Sequence, residues 1–431
     1  FISQGSRSGE PGIQAVTVGS GTIWGHVYDE VSTKHGRYVQ GGGCLTVGVA
    51  GLISGGGFGS FSKYYGVAAA GLTEAEIVTA DGNIRVVNAQ KEPDLFWAIK
   101  GGGGGSFGVI TKLTLATKEL PETFGVVFGK IKASSDDSFK TLIEKMLILY
   151  KEKLFNPQWG EQMYFNPDRS ARISMLFHGL TQKNAKDVWQ EFLDWVNAHP
   201  SDYSIEQALT FVVLPARQMW NPAFLKSFAP DFVATDNRAG SSENNIFWKG
   251  NQGEAGEFLY AYHSAWIPKR YLEADQMKIL VEAVFHASSY WTVSFHFNKG
   301  LAGATEEVLA AAKNTAVNPD LVNAFALVII AAGTDMVYPG SAGHEPEMQE
   351  ANHASENIKK AMTELKSRVT TTGSYVNETD YFEENWQDSF WGSNYAKLLS
   401  IKTKYDPDGL FFVHHGVGSE SWSSDGFTRL K

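Results

Sequence analysis

The first 120 residues are rich in glycine and contain runs in which apolar and polar positions alternate. Runs of β-branched residues in this alternation stand at 13–19, 75–87 and 108–117. Such runs are typical of strands. Asp81 and Gly82 interrupt the middle run, and Asp-Gly favours the tight turn of a β-hairpin. The pattern therefore predicts a strand-rich first part, together with one short amphipathic helix over 24–35.

Apolar positions with helical spacing take over beyond residue 120. Within 138–154 they are Phe139, Leu142, Ile143, Met146, Leu149 and Tyr150. Similar spacing predicts helices at 184–197, 271–287, 303–313 and 346–368. Strand-like runs between them stand at 171–178, 257–263, 290–297 and 324–331. Alternation over so long a stretch indicates a sheet with helices packed on one face, and hence an α+β fold.

The length of the chain and the changes in its residue pattern indicate three parts. Its 431 residues suggest two or three domains. We assign residues 1–120 to a first domain, residues 121–375 to a second domain, and the Trp- and Gly-rich residues 376–431 to a closing segment.

Composition narrows the choice of partners. Apolar residues make up 43% of the chain and charged residues 19%, which is typical of a globular protein with an ample core. The net charge of −10 and the lack of a long Lys/Arg run argue against nucleic acid. The sequence has no stretch of about 18 apolar residues without polar breaks, so we predict no membrane span. A single cysteine excludes an internal disulfide and a Cys-x-x-Cys metal site.

That cysteine, Cys44, lies in the segment 41–59, which reads GGGCLTVGVAGLISGGGFG. Glycines let the backbone approach a flat or phosphorylated ligand closely. Two interpretations of Cys44 stay open: a small buried hydrophobe, or a reactive thiol that faces a ligand. The glycines on both sides favour the second interpretation, because they would form a poor core without a ligand.

Two other patterns carry less weight. Gly103, Gly105 and Gly108 match the G-x-G-x-x-G fingerprint of dinucleotide-binding folds. That fingerprint needs a helix after it, whereas the residues that follow here alternate as in a strand. His414 and His415 are adjacent, and neighbouring side chains of a strand point to opposite faces. We therefore predict no metal site.

The stretch 290–297, YWTVSFHF, alternates cleanly. Tyr290, Thr292, Ser294 and His296 share one face, and the apolar face opposite is expected against helices. The polar face either lines a substrate pocket or faces solvent. In the first case, His296 is a candidate proton acceptor or substrate-binding group.

Ordered motifs along the whole chain resemble those of one flavoprotein family. They are GGGCLTVGVAG (41–51), GGGFG (55–59), KYYGVAAAG (63–71), LFWAIKGGGGGSFGVIT (95–111), YVN (375–377) and NYAKLLSIKTKYDPDGLF (394–411). As a set they are similar to the berberine-bridge-enzyme-like, PCMH-type branch of the vanillyl-alcohol-oxidase superfamily. FNKGLAG (297–303) and VHHGVGSESW (413–422) are similar to fungal members. The resemblance implies an FAD-binding domain in 1–120, a substrate-binding domain in 121–375, and a berberine-like segment in 376–431 that returns to the FAD domain.

The resemblance also implies how FAD is held. Cys44 stands where the family attaches C6 of the flavin ring through a thioether, and Val47 stands where the family admits dioxygen to the flavin. Glycines at 55–57 and 101–105 would lie along FAD. The full set of further cofactor contacts implied is Gly43, Thr46, Gly48, Gly51, Gly55, Gly56, Gly57, Gly59, Gly108, Val109 and Asn377.

For catalysis, the resemblance points to Tyr375, which stands where the family has a tyrosine that acts as base on a substrate hydroxyl. The ordinary pKa of a phenol is about 10. We therefore expect a cation or a hydrogen bond to lower the pKa of Tyr375. The alternatives are that Tyr375 is a core aromatic, or that His296 takes the proton. The pocket is expected from strands near 160–180, 257–266, 290–297 and 324–331.

Two residues near Cys44 differ from those that are common in the family. Phe58 replaces the tyrosine of the more common GGGYG motif, and Leu52 replaces a histidine eight residues after the cysteine. In the family a histidine also binds C8α of FAD from a glycine-rich loop, and neither His26 nor His35 lies in such a loop. We expect the residue for that second covalent link in a segment ahead of this sequence.

Together these expectations describe a secreted or vesicular FAD oxidase of fungal type. It would transfer hydride from an alcohol (a sugar, a benzylic or allylic alcohol, or a secondary metabolite) to covalent flavin, and O2 would be reduced to H2O2. The predicted partners are a small-molecule substrate and O2, without nucleic acid or membrane. Two rivals stay open: a flavin scaffold that catalyses a non-oxidative cyclisation, and a non-catalytic FAD-binding homologue.

Overall fold

The computed structural model describes residues 1–6, 9, 11–252 and 256–430. Its strands are β1 Ala15–Gly19, β2 Arg37–Tyr38, β3 Leu72–Val78, β4 Ile84–Asn88, β5 Val109–Ala116, β6 Lys118–Glu119, β7 Thr123–Ala133, β8 Trp159–Phe165, β9 Ser170–His178, β10 Tyr203–Pro215, β11 Val233–Thr235, β12 Ile246–Trp248, β13 Phe258–Pro268, β14 Val293–His296 and β15 Ala324–Thr334. Its α-helices are α1 Trp24–Tyr28, α2 Val49–Ser54, α3 Ser62–Tyr65, α4 Pro93–Ala98, α5 Asp136–Leu149, α6 Gln182–Asn197, α7 Pro222–Phe228, α8 Ala274–Ser288, α9 Glu306–Lys313, α10 Met348–Arg368, α11 Trp386–Trp391 and α12 Tyr395–Tyr405.

Two antiparallel sheets organise these elements. The smaller sheet has the strand order β1-β5-β3-β4, and the larger sheet has the order β10-β7-β9-β8-β14-β15-β13. The short pairs β2–β6 and β11–β12 lie apart from both. The predicted α+β class with an antiparallel sheet is confirmed.

The centre of the larger sheet is buried on both faces. In β15, Val328 and Ile330 belong to the core that also contains side chains of α5, α6, α8 and α10. Leu327 and Ile329, at the alternate positions, belong to a different core on the opposite face. This alternation explains why β15 is apolar throughout. The helices cover one face, as predicted, and the other face is turned toward the first part of the chain.

The core on the smaller sheet draws on distant parts of the chain. It combines Trp24 and Leu113 with Leu398 of α12, so the C-terminal helix packs on the first sheet. Leu225 and Ile246 join the same core, which the sequence did not predict. The β11–β12 region therefore lies on the first core, although it falls within the span 121–375.

Most predicted elements are confirmed, with small changes at their ends. β3 and β4 form the hairpin around Asp81–Gly82. After Gly108 the chain continues as β5 and not as a helix. Two predicted helices, over 24–35 and 138–154, end in wider π-helical turns at Asp29–Lys34 and Tyr150–Leu154.

Several strands were missed, of which β7 and β10 are the longest, and one predicted strand was too long. β7 and β10 were not predicted; in β7, glycines at 125 and 129 interrupt the pattern. A side chain on Gly125 would overlap the ring of Phe177 on β9, so tight packing requires glycine there. The strand predicted over 290–297 begins only at Val293, because Tyr290 and Trp291 still bond to the Ala287 carbonyl at the end of α8. Across the described residues, no helix combines the length and the apolar character needed to cross a bilayer.

Candidate functional site

A cleft of about 970 Å³ lies where the first part of the chain faces the larger sheet. Most of its lining comes from six stretches that are far apart in sequence: 42–52, 103–106, 161–162, 298–299, 375–381 and 413–416. The fold thus brings the cysteine loop, the second glycine loop and the YVN motif to one place. Of the strands expected to build the pocket, β8 contributes Glu161 and Gln162, and β13 contributes Leu259. No residue of 290–297 or 324–331 is part of this lining.

The cysteine loop is held by backbone contacts to the segment that opens α1. The amide of Trp24 donates to the Val47 carbonyl, at 3.0 Å, and the amide of Gly25 donates to the Leu45 carbonyl, at 2.8 Å. Cys44, half-buried, and Val47, more than a third exposed, both line the cleft. Thr46 is exposed but does not line the cleft. The loop therefore presents its thiol from a fixed backbone.

The glycines assigned to FAD fall into two groups. Gly43, Gly48 and Gly51 line the cleft, and a side chain added to any of them would meet nothing within 4 Å. The other group lies against protein atoms: Gly55 on Asn377, Gly56 on Val317, Gly57 on Leu52, Gly59 on the Gly41 carbonyl and Gly108 on the Val78 carbonyl. None of this second group, nor Val109, lines the cleft. Their contact with FAD stays a prediction, whereas close packing already accounts for the missing side chains.

Tyr375 is buried at the cleft and joins two of the predicted motifs. Its hydroxyl oxygen accepts hydrogen bonds from the Gly57 amide, at 3.2 Å, and from Asn377 Nδ2, at 3.0 Å. Phe58 packs edge-on against its ring, with centroids 4.8 Å apart. Burial raises the pKa of Tyr375, the negative charge of Glu378 raises it further, and the two donors offset this only in part. The expected lowering of this pKa is therefore not found.

His296 lies behind the cleft wall. It is buried, its Nε2 lies 3.1 Å from Ser294 Oγ, and its Nδ1 has no partner among the described residues. Burial, aided by the charge of Lys299, holds its pKa well below the ordinary value. On the same predicted polar face, Tyr290 is exposed, whereas Ser294 is buried with His296. As a whole, this face is therefore neither the solvent-facing side of a strand nor the lining of a pocket.

Several charged and amide side chains at the cleft were not predicted. Lys299 forms an ion pair with Glu378, and Glu161 and Asn298 lie beside them in the lining. Asn298 and Lys299 stand within FNKGLAG, and Glu378 directly follows YVN. FNKGLAG and YVN are among the motifs that resemble the family, but only Tyr375 and Asn377 of these segments were predicted as site residues. Glu161 was visible only as an acidic residue in a mostly apolar run.

His414 and His415 also line the cleft, and their rings are stacked. The centroids are 3.9 Å apart, so the expectation of opposite faces was wrong. The reason is that this segment is not a strand, and His415 has a left-handed backbone with φ 53°. The stack continues to Tyr381 on one side and Trp386 on the other.

Residues at the cleft meet the requirements of a flavin site. The open faces of Gly43, Gly48 and Gly51 leave room beside Cys44 for a flat group. Ser106 lines the same cleft from the second glycine loop, and within the described part of the chain its buried Oγ has no hydrogen-bond partner. A bound ligand that offers acceptors or donors would satisfy it.

Comparisons with known proteins agree with this assignment. Residues 7–88 match the family model "FAD binding domain", and residues 374–418 match "Berberine and berberine like". A VAO-type flavoprotein of Myceliophthora thermophila superposes with a TM-score of 0.71 at 23% identity, over 95% of this chain and 68% of that one. A glucooligosaccharide oxidase of Acremonium strictum gives a TM-score of 0.69 at 20% identity, over 94% and 78%. The fold is that of the vanillyl-alcohol-oxidase class of flavoproteins.

Fungal proteins are among the relatives of this chain. The chain is 29% identical over 429 residues to an uncharacterised FAD-linked oxidoreductase of Arthroderma benhamiae, covering 97% of this chain and 67% of the relative. It is 28% identical over 440 residues to the FAD-linked oxidoreductase notD' of Aspergillus versicolor, covering 97% and 62%. This chain thus spans about two thirds of the length of these relatives. The resemblance to berberine-bridge-enzyme-like, FAD-linked proteins of fungal type is confirmed.

Proposed function

We propose that this chain forms an FAD-dependent oxidase that converts an alcohol to a carbonyl compound and releases hydrogen peroxide. The observation that carries the proposal is the meeting of Cys44, open glycine faces and Tyr375 in one cleft. When bound, FAD supplies an acceptor for the hydride and passes the two electrons to dioxygen. In this proposal Cys44 anchors the ring through a thioether, and Val47 leaves dioxygen a path at the rim.

In this proposal, Tyr375 contacts the hydroxyl group of the substrate. Tyr375 lines the cleft, whereas His296 does not. Because two N–H groups donate to the Tyr375 oxygen, its own proton is directed elsewhere and can be donated to a substrate. With its raised pKa, Tyr375 stays protonated near neutral pH. We therefore propose that it orients the hydroxyl as a neutral donor, a role that differs from the base expected from the family.

Substrate class and location are proposed on the resemblance. Solved structures of the same fold include glucooligosaccharide, carbohydrate and chitooligosaccharide oxidases, which supports sugars as the first alcohols to test. Benzylic and allylic alcohols and secondary metabolites stay in the proposal beside them. A secreted location rests on the family alone.

The first experiment asks whether flavin is covalently attached. Wild type, Cys44→Ala and the matched control Thr46→Ala are purified, precipitated with acid and digested with trypsin. We expect wild type and control to give a peptide over 38–63 whose mass is increased by one flavin, and Cys44→Ala to give the unmodified peptide. An unmodified wild-type peptide from protein that does contain flavin contradicts the thioether.

The second experiment tests the reaction. Peroxide is measured with cellobiose, chitobiose and 4-methoxybenzyl alcohol under air. Release of peroxide with any of these supports the oxidase. Flavin-containing protein that releases none and whose flavin is not reduced without oxygen contradicts it, and favours the cyclase or the non-catalytic homologue.

A further inference from the structure

A carboxylate at the start of β8 lies in the cleft under unusual constraints. Glu161 is one of four non-glycine residues with positive φ among those described, with φ 70°. A side chain in this region of backbone space is held there by its surroundings, and such residues concentrate at functional sites. At the preceding residue, a side chain on Gly160 would overlap the Ser60 carbonyl. The close approach of β8 to this loop therefore fixes where Glu161 points.

Glu161 has polar neighbours but no cation of its own. Asn298 Nδ2 and Gln162 Nε2 each lie 3.4 Å from its oxygens, and the Ser60 hydroxyl also donates to it. No Lys or Arg among the described residues lies within ion-pair distance of it. Burial raises the pKa of Glu161 and the charge of Glu378 adds to this, while Lys299 acts in the opposite direction. Tyr38 and Tyr164 are the other titratable groups that its charge affects.

A second observation points to a ligand at the same place. Asn298 is 3% exposed and lines the cleft beside Glu161. Its Nδ2 donates to the Gly59 carbonyl, at 3.2 Å, but within the described chain its Oδ1 has no partner. Buried amide oxygens are nearly always satisfied. A donor from a substrate, such as a hydroxyl group, would complete this site.

The other two carboxylates in the cleft lining are already engaged. Glu378 forms an ion pair with Lys299, and Asp380 lies 3.4 Å from Nδ1 of His263. Tyr375 stays protonated and its oxygen already accepts two hydrogen bonds. An alcohol that loses hydride must also lose its hydroxyl proton, and a positioned carboxylate is a suitable acceptor. Among these groups only Glu161 is in the lining and has no described Lys, Arg or His within ion-pair distance.

We propose that Glu161 is the catalytic base that accepts the hydroxyl proton of the alcohol. The inference rests on the proposed oxidase function. The C–H and O–H bonds break, a C=O bond forms, the hydride takes two electrons to FAD, and the proton goes to the Glu161 carboxylate. Dioxygen then takes up the equivalent of that hydride and one proton to give H2O2, so atoms and electrons balance.

The first test needs no substrate. The carbonyl stretch of protonated carboxyl groups is followed by infrared spectroscopy as the flavin-containing protein is titrated. We expect the difference between wild type and Glu161→Gln to be one carboxyl that protonates above the ordinary pKa of 4.5 for glutamate, and Asp380→Asn to retain that signal. A Glu161 carboxyl that is still protonated at the pH of turnover overturns the proposal, because it could not accept the proton.

The second test uses the rate of flavin reduction without oxygen, with cellobiose or whichever alcohol of the panel releases most peroxide. Since only the ionised carboxylate accepts a proton, the wild-type rate should fall as pH drops through the pKa of Glu161. Glu161→Gln should lower the rate by about 100-fold or more and remove this acid limb, with little change in substrate Kd. Tyr375→Phe should lower the rate but keep the limb.

The outcomes separate the two proposals. Alcohol turnover with an intact acid limb in Glu161→Gln overturns the assignment of the base alone. Absence of flavin reduction by every alcohol overturns the oxidase, and this assignment with it.

Discussion

Lys63 shows at the scale of one residue how the two halves of the molecule are joined. It lies in α3, in the first part of the chain, yet its ammonium donates to the backbone carbonyls of Phe297 and Phe325. The side chain is fully buried without a carboxylate, and burial lowers its pKa to about 7. The charged form is thus disfavoured in the folded state relative to water.

Replacement of Lys63 should therefore change how stability depends on pH. Between about pH 7.5 and about pH 9.5 the unfolded chain carries the proton and the folded chain releases it. The free energy of unfolding of wild type should rise with pH relative to Lys63→Met, by about 1.4 kcal/mol per unit. Urea unfolding at several pH values measures this difference. The exposed Lys278→Met should show no such slope, and a flat difference for Lys63→Met would refute the prediction.

Two neighbouring glycines offer a second residue-scale prediction. A methyl group on Gly55 would overlap the Asn377 amide, whereas one on Gly51, within α2, meets nothing within 4 Å. Gly55→Ala should destabilise the flavin-free protein by about 1–3 kcal/mol. Gly51→Ala should stabilise it by about 0.5–1 kcal/mol. In the FAD-containing protein, Gly51→Ala should weaken flavin retention, because the added methyl group would project into the cleft. Urea unfolding and the flavin released on dilution check both effects.

At the scale of elements, β8 determines the cleft floor. It pairs with β9 on one side and β14 on the other, so its position is set by the larger sheet. Its first residues pass directly beneath the loop of Gly59 and Ser60. The approach is possible only because residue 160 is glycine.

We expect Gly160→Ala to push this strand and the loop apart. The added methyl would overlap backbone, which cannot rotate away as a side chain can. The loss of stability should be about 3 kcal/mol, at the upper end for overpacking, and the displaced Glu161 should lower flavin reduction as well. Gly21→Ala, where nothing lies within 4 Å, is the control for thermal unfolding. Equal stability of the two variants would show that β8 can shift freely.

At the scale of the whole molecule, the C-terminal segment completes the first core. Lys402 of α12 forms a buried ion pair with Asp406 and also donates to the carbonyls of Ser106, at 2.8 Å, and Phe411, at 2.7 Å. Trp391 Nε1 donates to the Gly101 carbonyl, at 3.0 Å. Both contacts hold the second glycine loop, so the last part of the chain supports a wall of the cleft.

Lys402→Met should therefore cost about 3 kcal/mol of stability, because it leaves the buried Asp406 carboxylate without its cation. It should also loosen the loop at Ser106, which urea unfolding and protease cleavage near 101–106 would detect. The exposed pair Lys183–Asp187 provides the control, since Lys183→Met should change stability by less than about 1 kcal/mol. A loss no larger than in this control would show that the segment is not held by Lys402.

Sequence patterns predicted the elements that have a strong local signal. The Asp81–Gly82 hairpin, β5 after Gly108 and the long amphipathic helices all follow from turn chemistry and periodicity. β7 was missed because Gly125 packs against Phe177 of β9 and Gly129 against Leu209 of β10, contacts that no local pattern contains. The site was predicted in part: Cys44, Tyr375 and Asn377 stand at the cleft, whereas Glu161, Asn298 and Lys299 were overlooked.

The local sequence was sufficient to predict the α+β class, the fold type and the motifs that match flavoproteins. These features depend on spacing and residue type along the chain. Which groups meet, and how they are charged, depends on folding. The sequence led us to expect a lowered pKa for Tyr375, whereas burial and the charge of Glu378 raise it. The pairing of Lys299 with Glu378 leaves Glu161 without a cation. Solvation depends on which residues pack around a side chain, and Lys299 lies 79 positions from Glu378 in the sequence, so these effects exist only once the chain has folded.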